Sequence, residues 1–131
     1  MPTRWSDEAT WPAAPESVAM ARDFVAAHLL SNLLPALVDD ARLVASELAT
    51  NAVRHARTAF TVTVDGRDGS VTVRVRDGSR SLPSSGASGI LATQGRGLML
   101  VAALSLAWGV TVEAEAEGGK SVWASFSTAP A

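Results

Sequence analysis

Glu47, Asn51 and His55 recur at four-residue steps inside the run SELATNAVRHA, Ser46 to Ala56. On a helix, which turns about 100° per residue, such steps form one polar stripe. The apolar residues Val44, Leu48 and Ala52 lie about a quarter-turn away and can face a core. A solvated helix face is usually written with Lys, Glu, Gln and Arg, and Asn and His are only moderate helix formers. The residue types suit chemistry. An Asn side-chain oxygen is a hard, neutral ligand for Mg²⁺ beside phosphate oxygens. A Glu one turn earlier can act as general base on a hydroxyl or a water. His55 can contact phosphate or ribose. A helix face that is merely polar explains the same stripe equally well.

Two further constellations follow in the chain. Val71, Val73 and Val75 alternate with polar residues, and the next residue of the apolar parity is Asp77. A carboxylate on the inward face at a strand end needs a hydrogen-bonded partner or a ligand. It can accept from an exocyclic amine such as adenine's. It can also cap the following turn, since Asp77-Gly78 is a common turn pair. Farther on, Gly95-Arg96-Gly97 opens a helical pattern that continues with Leu98, Val101, Ala102 and Ser105 on one stripe. Glycines let a backbone approach phosphate closely, helix N-terminal N–H groups favour anions, and Arg96 can add a charge-assisted bond. The spacing fits neither a Walker A loop nor a dinucleotide fingerprint, and a flexible loop end is the other reading.

The elements that must position these groups are legible from periodicity. A short edge strand is expected near Ala9 to Trp11. Pro15-Glu16-Ser17 opens a first helix with Val18, Ala21, Val25 and Leu29 on its buried face, fading near Ser31-Asn32. Pro35 suits the first turn of a second helix that runs through the polar stripe to about Arg57. The period then changes to two. Phe60, Val62 and Val64 lead to the turn Gly66-Arg67-Asp68-Gly69, and the valines before Asp77 return. Each strand has one apolar and one polar face, as in an antiparallel sheet covered by helices on one side. Residues 78 to 95 are rich in Ser and Gly, and a loop of that length suggests a lid. After the third helix, Trp108, Val110 and Val112 mark one strand, and Val122, Ala124 and Phe126 mark the last.

Composition bounds the remainder. With 131 residues, 47% of them hydrophobic, the chain suits one domain, 1–131, with one core. A net charge of −2 leaves no electrostatic footprint for nucleic acid or an anionic membrane. Cysteine is absent, which excludes disulfides and thiolate metal sites. No signal peptide or bilayer-spanning stretch is visible, so a soluble, cytoplasmic protein is expected.

The order of these parts resembles the ATP-binding domain shared by gyrase, the heat-shock chaperone, histidine kinases and mismatch-repair ATPases, the GHKL superfamily. Glu47, Asn51 and His55 match its N-box, Asp77-Gly78 falls at its adenine-reading box, and Gly95-Arg96-Gly97-Leu98 matches its second glycine box. Gly119-Lys120-Ser121-Val122-Trp123 looks like its closing strand. Within the superfamily, SELATNAVRHA, VRDGS and GRGLMLV are most similar to the short actinobacterial, stand-alone anti-sigma-factor serine/threonine kinases, over about residues 12 to 127. The fuller adenine box is Asp-x-Gly-x-Gly. Here Ser79 and Ser81 stand at the two later glycine positions.

The resemblance implies a Bergerat-type two-layer α/β sandwich, with a mixed, mostly antiparallel sheet and helices on one face. It implies ATP and Mg²⁺ as cofactors, with Asn51 on the metal and Glu47 as the catalytic base. His55, Asp77, Gly95, Arg96, Gly97, Leu98 and Ser121 would contact the nucleotide, Ser121 beside Asp77. It further implies phosphorylation of a Ser or Thr on a separate antagonist protein, sequestration of a sigma factor, or both. A homodimer is a possibility it leaves open. The alternative is a non-catalytic nucleotide-dependent binding module, or a nucleotide-free scaffold.

Overall fold

Alternating apolar residues build the centre of the molecule. The computed structural model describes residues 4–79, 95–112 and 119–128. Its strands are β1 (Arg4–Trp11), β2 (Phe60–Arg67), β3 (Ser70–Asp77), β4 (Ala107–Val112) and β5 (Lys120–Ser127). They form one sheet in the order β1-β2-β3-β5-β4. Phe60, Val62 and Val64 of β2 and Val71, Val73 and Val75 of β3 are buried, as are Val122, Ala124 and Phe126 of β5. The residues between them point to the opposite face, as the two-residue period of a strand requires.

Every strand pairing among the described residues is antiparallel, where the sequence left room for a mixed sheet. The reason lies in the last crossover. Since β5 runs against both β3 and β4, those two strands run the same way, as a helical crossover between them requires. The chain then folds back, and β5 inserts between them. The β2–β3 hairpin turns at Asp68-Gly69, with Gly69 at a φ of +89°.

The helices α1 (Pro15–Ser31), α2 (Val38–Asn51) and α3 (Gly95–Leu104) cover the apolar face. The α1 row that enters the core is Ser17, Ala21, Val25 and Leu29. Val18, expected there, is only partly buried, because the strict four-residue row selects Ser17. Helix α1 ends in a Schellman arrangement: Leu34 N–H donates to the Leu29 carbonyl at 2.9 Å and Leu33 N–H to that of Leu30 at 3.1 Å. The left-handed position in it is held by Leu33, at a φ of 62°. Val44, Leu48 and Ala52 are buried as their spacing predicts, whereas Ala102 of α3 is exposed. His28 is structural. Its ring lies 4.4 Å from that of Phe24, and its Nδ1 is 3.0 Å from the Phe24 carbonyl. Among the described residues, no helix is long and apolar enough to cross a membrane.

Candidate functional site

The second helix does not continue as one α-helix to Arg57. A 3₁₀ turn at Pro35–Leu37 precedes it, and a π-helical segment, Ala52–Ala56, follows it. The wide turn is closed by Arg57 N–H on the Ala52 carbonyl at 2.9 Å, and Arg57 ends it in the left-handed region. Such segments are frequent at functional sites. Glu47 and Asn51 lie on the regular part and share one stripe. A wider turn takes more residues per revolution, so the four-residue step from Asn51 falls short of a full turn. His55 therefore lags behind the line through Glu47 and Asn51.

Both residues of that stripe are half-buried. Among the described residues, Glu47 has no hydrogen bond or ion pair. The Asn51 Nδ2 atom is buried and has no hydrogen-bond partner among the described residues. A buried amide left unmade is costly, and in a native fold such an orphan calls for a ligand, ion or water. The unsatisfied atom is the amide's donor, which suits an oxygen acceptor such as a phosphate. A hard cation would take the Oδ1 of the same carboxamide. Among the described residues, no group of three or more His, Asp or Glu side chains gathers to hold a metal. An Mg²⁺ here would therefore depend on Asn51 together with ligand and water oxygens, the usual way this ion is held.

His55 is exposed at the end of the π segment. Desolvation, then repulsion from Arg54, Lys120 and Arg57, holds its pKa below the ordinary 6.5. The imidazole is thus neutral at neutral pH, and the end of α2 is electropositive through the other three side chains.

Asp77 is buried at the end of β3, on the helix-covered face, as the alternation predicts. Its carboxylate already has partners. The Lys120 Nζ donates to Oδ1 at 3.1 Å and to Oδ2 at 2.9 Å, and Ser79 N–H donates to Oδ1 at 2.8 Å. The turn-capping role and a long-range ion pair coexist. Register explains the pair, since Lys120 is the direct cross-strand partner of Asp77. Gly119 lets the strands meet this closely: a Cβ there would lie 1.7 Å from the Asp77 carbonyl oxygen. Ser121 pairs with Arg76 instead, so its side chain is on the opposite face from Asp77. Thr58 was not foreseen. Its Oγ1 accepts from Gly78 N–H at 2.8 Å and fixes the start of the loop.

In the third constellation, Gly95, Arg96 and Gly97 begin α3, as expected. Leu98 is 4% exposed and anchors that first turn to the core. The suspected lid, 79 to 94, lies outside the described residues apart from Ser79. Packing sets the elements that carry the three constellations beside helix α2. Helix α2 contacts both β3 and α3, and the π segment contacts β3. A pocket of about 200 Å³ reaches Asp77, Gly78 and Gly119 from the helix-free side, past Thr10, Thr61 and Arg76.

A family model described as the histidine kinase-like ATPase domain matches residues 11–126. The curated proteins contain no match to the chain.

Proposed function

Because the chain belongs to the histidine kinase-like ATPase domain family, we propose that it is an Mg·ATP-binding regulatory protein that transfers phosphate to a Ser or Thr of a separate antagonist protein. The observation that carries the nucleotide site is the Asn51 Nδ2 atom, buried and without a partner among the described residues, one helical turn beyond Glu47. Asn51 would hold the metal, and His55 and the cations around it would draw phosphate to the end of α2. Glu47 has no hydrogen bond or ion pair among the described residues and would orient or deprotonate the acceptor hydroxyl. When bound, Mg²⁺ would neutralise charge on the transferred phosphoryl group. Positioning by α2 and the start of α3 is then the main contribution of the protein.

The resemblance to anti-sigma-factor kinases supports a sigma factor, its antagonist, or both as partners, and a dimer as the assembled form. A cytoplasmic location follows from that role. The test is phosphate transfer from labelled ATP to a candidate antagonist encoded nearby. Glu47→Ala is expected to reduce transfer at least about a hundredfold, as loss of a general base does, with ATP affinity within about threefold of wild type. Transfer that survives in this variant would remove Glu47 as the base.

One observation favours a second reading, a non-catalytic module whose nucleotide acts as a switch or is absent. Asp77 is committed to Lys120, and serines replace two glycines of the adenine box. Nucleotide-dependent capture of a partner without phosphate transfer would favour it.

A further inference from the structure

The Asp77 carboxylate is an acceptor whose capacity is nearly spent. A carboxylate offers about four lone-pair positions. Oδ1 accepts from Lys120 and from Ser79, and Oδ2 accepts from Lys120. The side chains of Lys120 and Asp77 are 8% and 4% exposed. Among the described residues, Asp77 is the sole carboxylate in an ion pair with Lys120. The pair cannot slip along the strands. Asp77 and Lys120 sit opposite each other in the β3–β5 register, and Gly119 is packed against the Asp77 carbonyl.

We infer that Lys120 occupies the Asp77 carboxylate in place of the exocyclic amine of a purine, and so sets the base specificity of the nucleotide site. This rests on the reading that nucleotide binds between α2, the end of β3 and the start of α3. A hydrogen bond from an ammonium to a carboxylate is roughly twice as strong as a neutral one. A neutral aromatic amine would have to displace that ammonium and leave it buried without its partner, which is strongly unfavourable. The neighbours that lower the pKa of His55 include Lys120 as well as Arg54 and Arg57. Lys120 therefore gains nothing by swinging toward the end of α2, where the other charges are positive. The wild-type protein then reads the triphosphate and the metal, and reads the amino group of the base weakly.

The test uses the full chain and two ligands, Mg·ATP and Mg·ITP, by calorimetric titration. Inosine carries a carbonyl where adenine carries its amine. Wild type is expected to bind the two within about threefold of each other. Lys120→Thr releases Asp77 and should prefer ATP by about tenfold or more, the worth of a hydrogen bond to a charged group. Lys120→Gln keeps Asp77 partnered by a neutral donor. It should move the ratio the same way by less, and it serves if the threonine variant does not fold by circular dichroism. A preference for ATP of tenfold or more in wild type overturns the inference but upholds the nucleotide site. The same ratio in wild type and folded variants also overturns it alone. Binding of ATP only by the variants overturns it as stated, because wild type is expected to bind both nucleotides through the triphosphate and the metal. No binding of either nucleotide by any folded form overturns both the inference and the nucleotide reading.

Discussion

At the scale of single residues, Asp77 and Asn51 are opposite cases of burial. Asp77 is buried with its charge compensated; Asn51 is half-buried, with its buried Nδ2 atom unmet among the described residues. Removing one partner of a buried ion pair leaves the other uncompensated, at a cost of about 3–5 kcal/mol. Asp77→Asn is therefore expected to lower the unfolding free energy by that amount, read from urea denaturation midpoints. An effect under about 1 kcal/mol would mean that Lys120 finds another partner or reaches solvent. The sequence located Asp77 correctly because parity is local. It could not supply Lys120, 43 positions away, because cross-strand register is settled by how β5 enters the sheet. Gly119 was legible as the start of the closing-strand motif, but its close approach to Asp77 was not.

At the scale of elements, the two helix ends carry the departures from regular geometry. Leu33 holds the left-handed position of the α1 Schellman turn, and its side chain is 85% exposed. A left-handed non-glycine residue costs about 1–2 kcal/mol, and the exposed leucine returns little packing. Leu33→Gly should raise stability by about 0.5–1 kcal/mol, after the greater chain entropy of glycine is allowed for. Thermal denaturation reads this as a rise in Tm, and a fall would show that the leucine packs more than its exposure implies. The π segment at the end of α2 sets His55 among cations. Its folded pKa is lowered, so the unfolded chain binds more protons as pH falls below 6.5. Stability from this residue is complete above that value and is lost as pH falls from there through the folded pKa. In His55→Gln the decline in stability between about pH 7 and pH 5 should be shallower than in wild type. Equal slopes in the two proteins would mean that neither desolvation nor Arg54, Lys120 and Arg57 holds the His55 pKa down. The π turn had no sequence signature, because AVRHA reads as ordinary helix and the wider bonds, such as Arg57 N–H to the Ala52 carbonyl, leave no mark in residue type.

At the scale of the whole molecule, the element order was legible because each element declares its own period. Valine alternation marked β2 and β3, and the four-residue rows marked α1 and α2. The β3–α3–β4 crossover and the insertion of β5 depend on long-range pairing, which the sequence expressed only as a family likeness. The fold brings Asn51, Asp77 and the start of α3 to adjoining elements, as a nucleotide site requires. The central claim is that Asn51 holds the metal of a bound Mg·ATP. Since its amide has no partner among the described residues, Asn51→Ala should change stability by less than about 1 kcal/mol, so loss of binding would not reflect loss of fold. The most direct measurement is calorimetric titration of wild type and Asn51→Ala with ATP, with and without Mg²⁺. The account predicts magnesium-dependent binding in wild type and none in the variant. Equal affinity in the two proteins, or no binding by wild type at millimolar ATP, would contradict it.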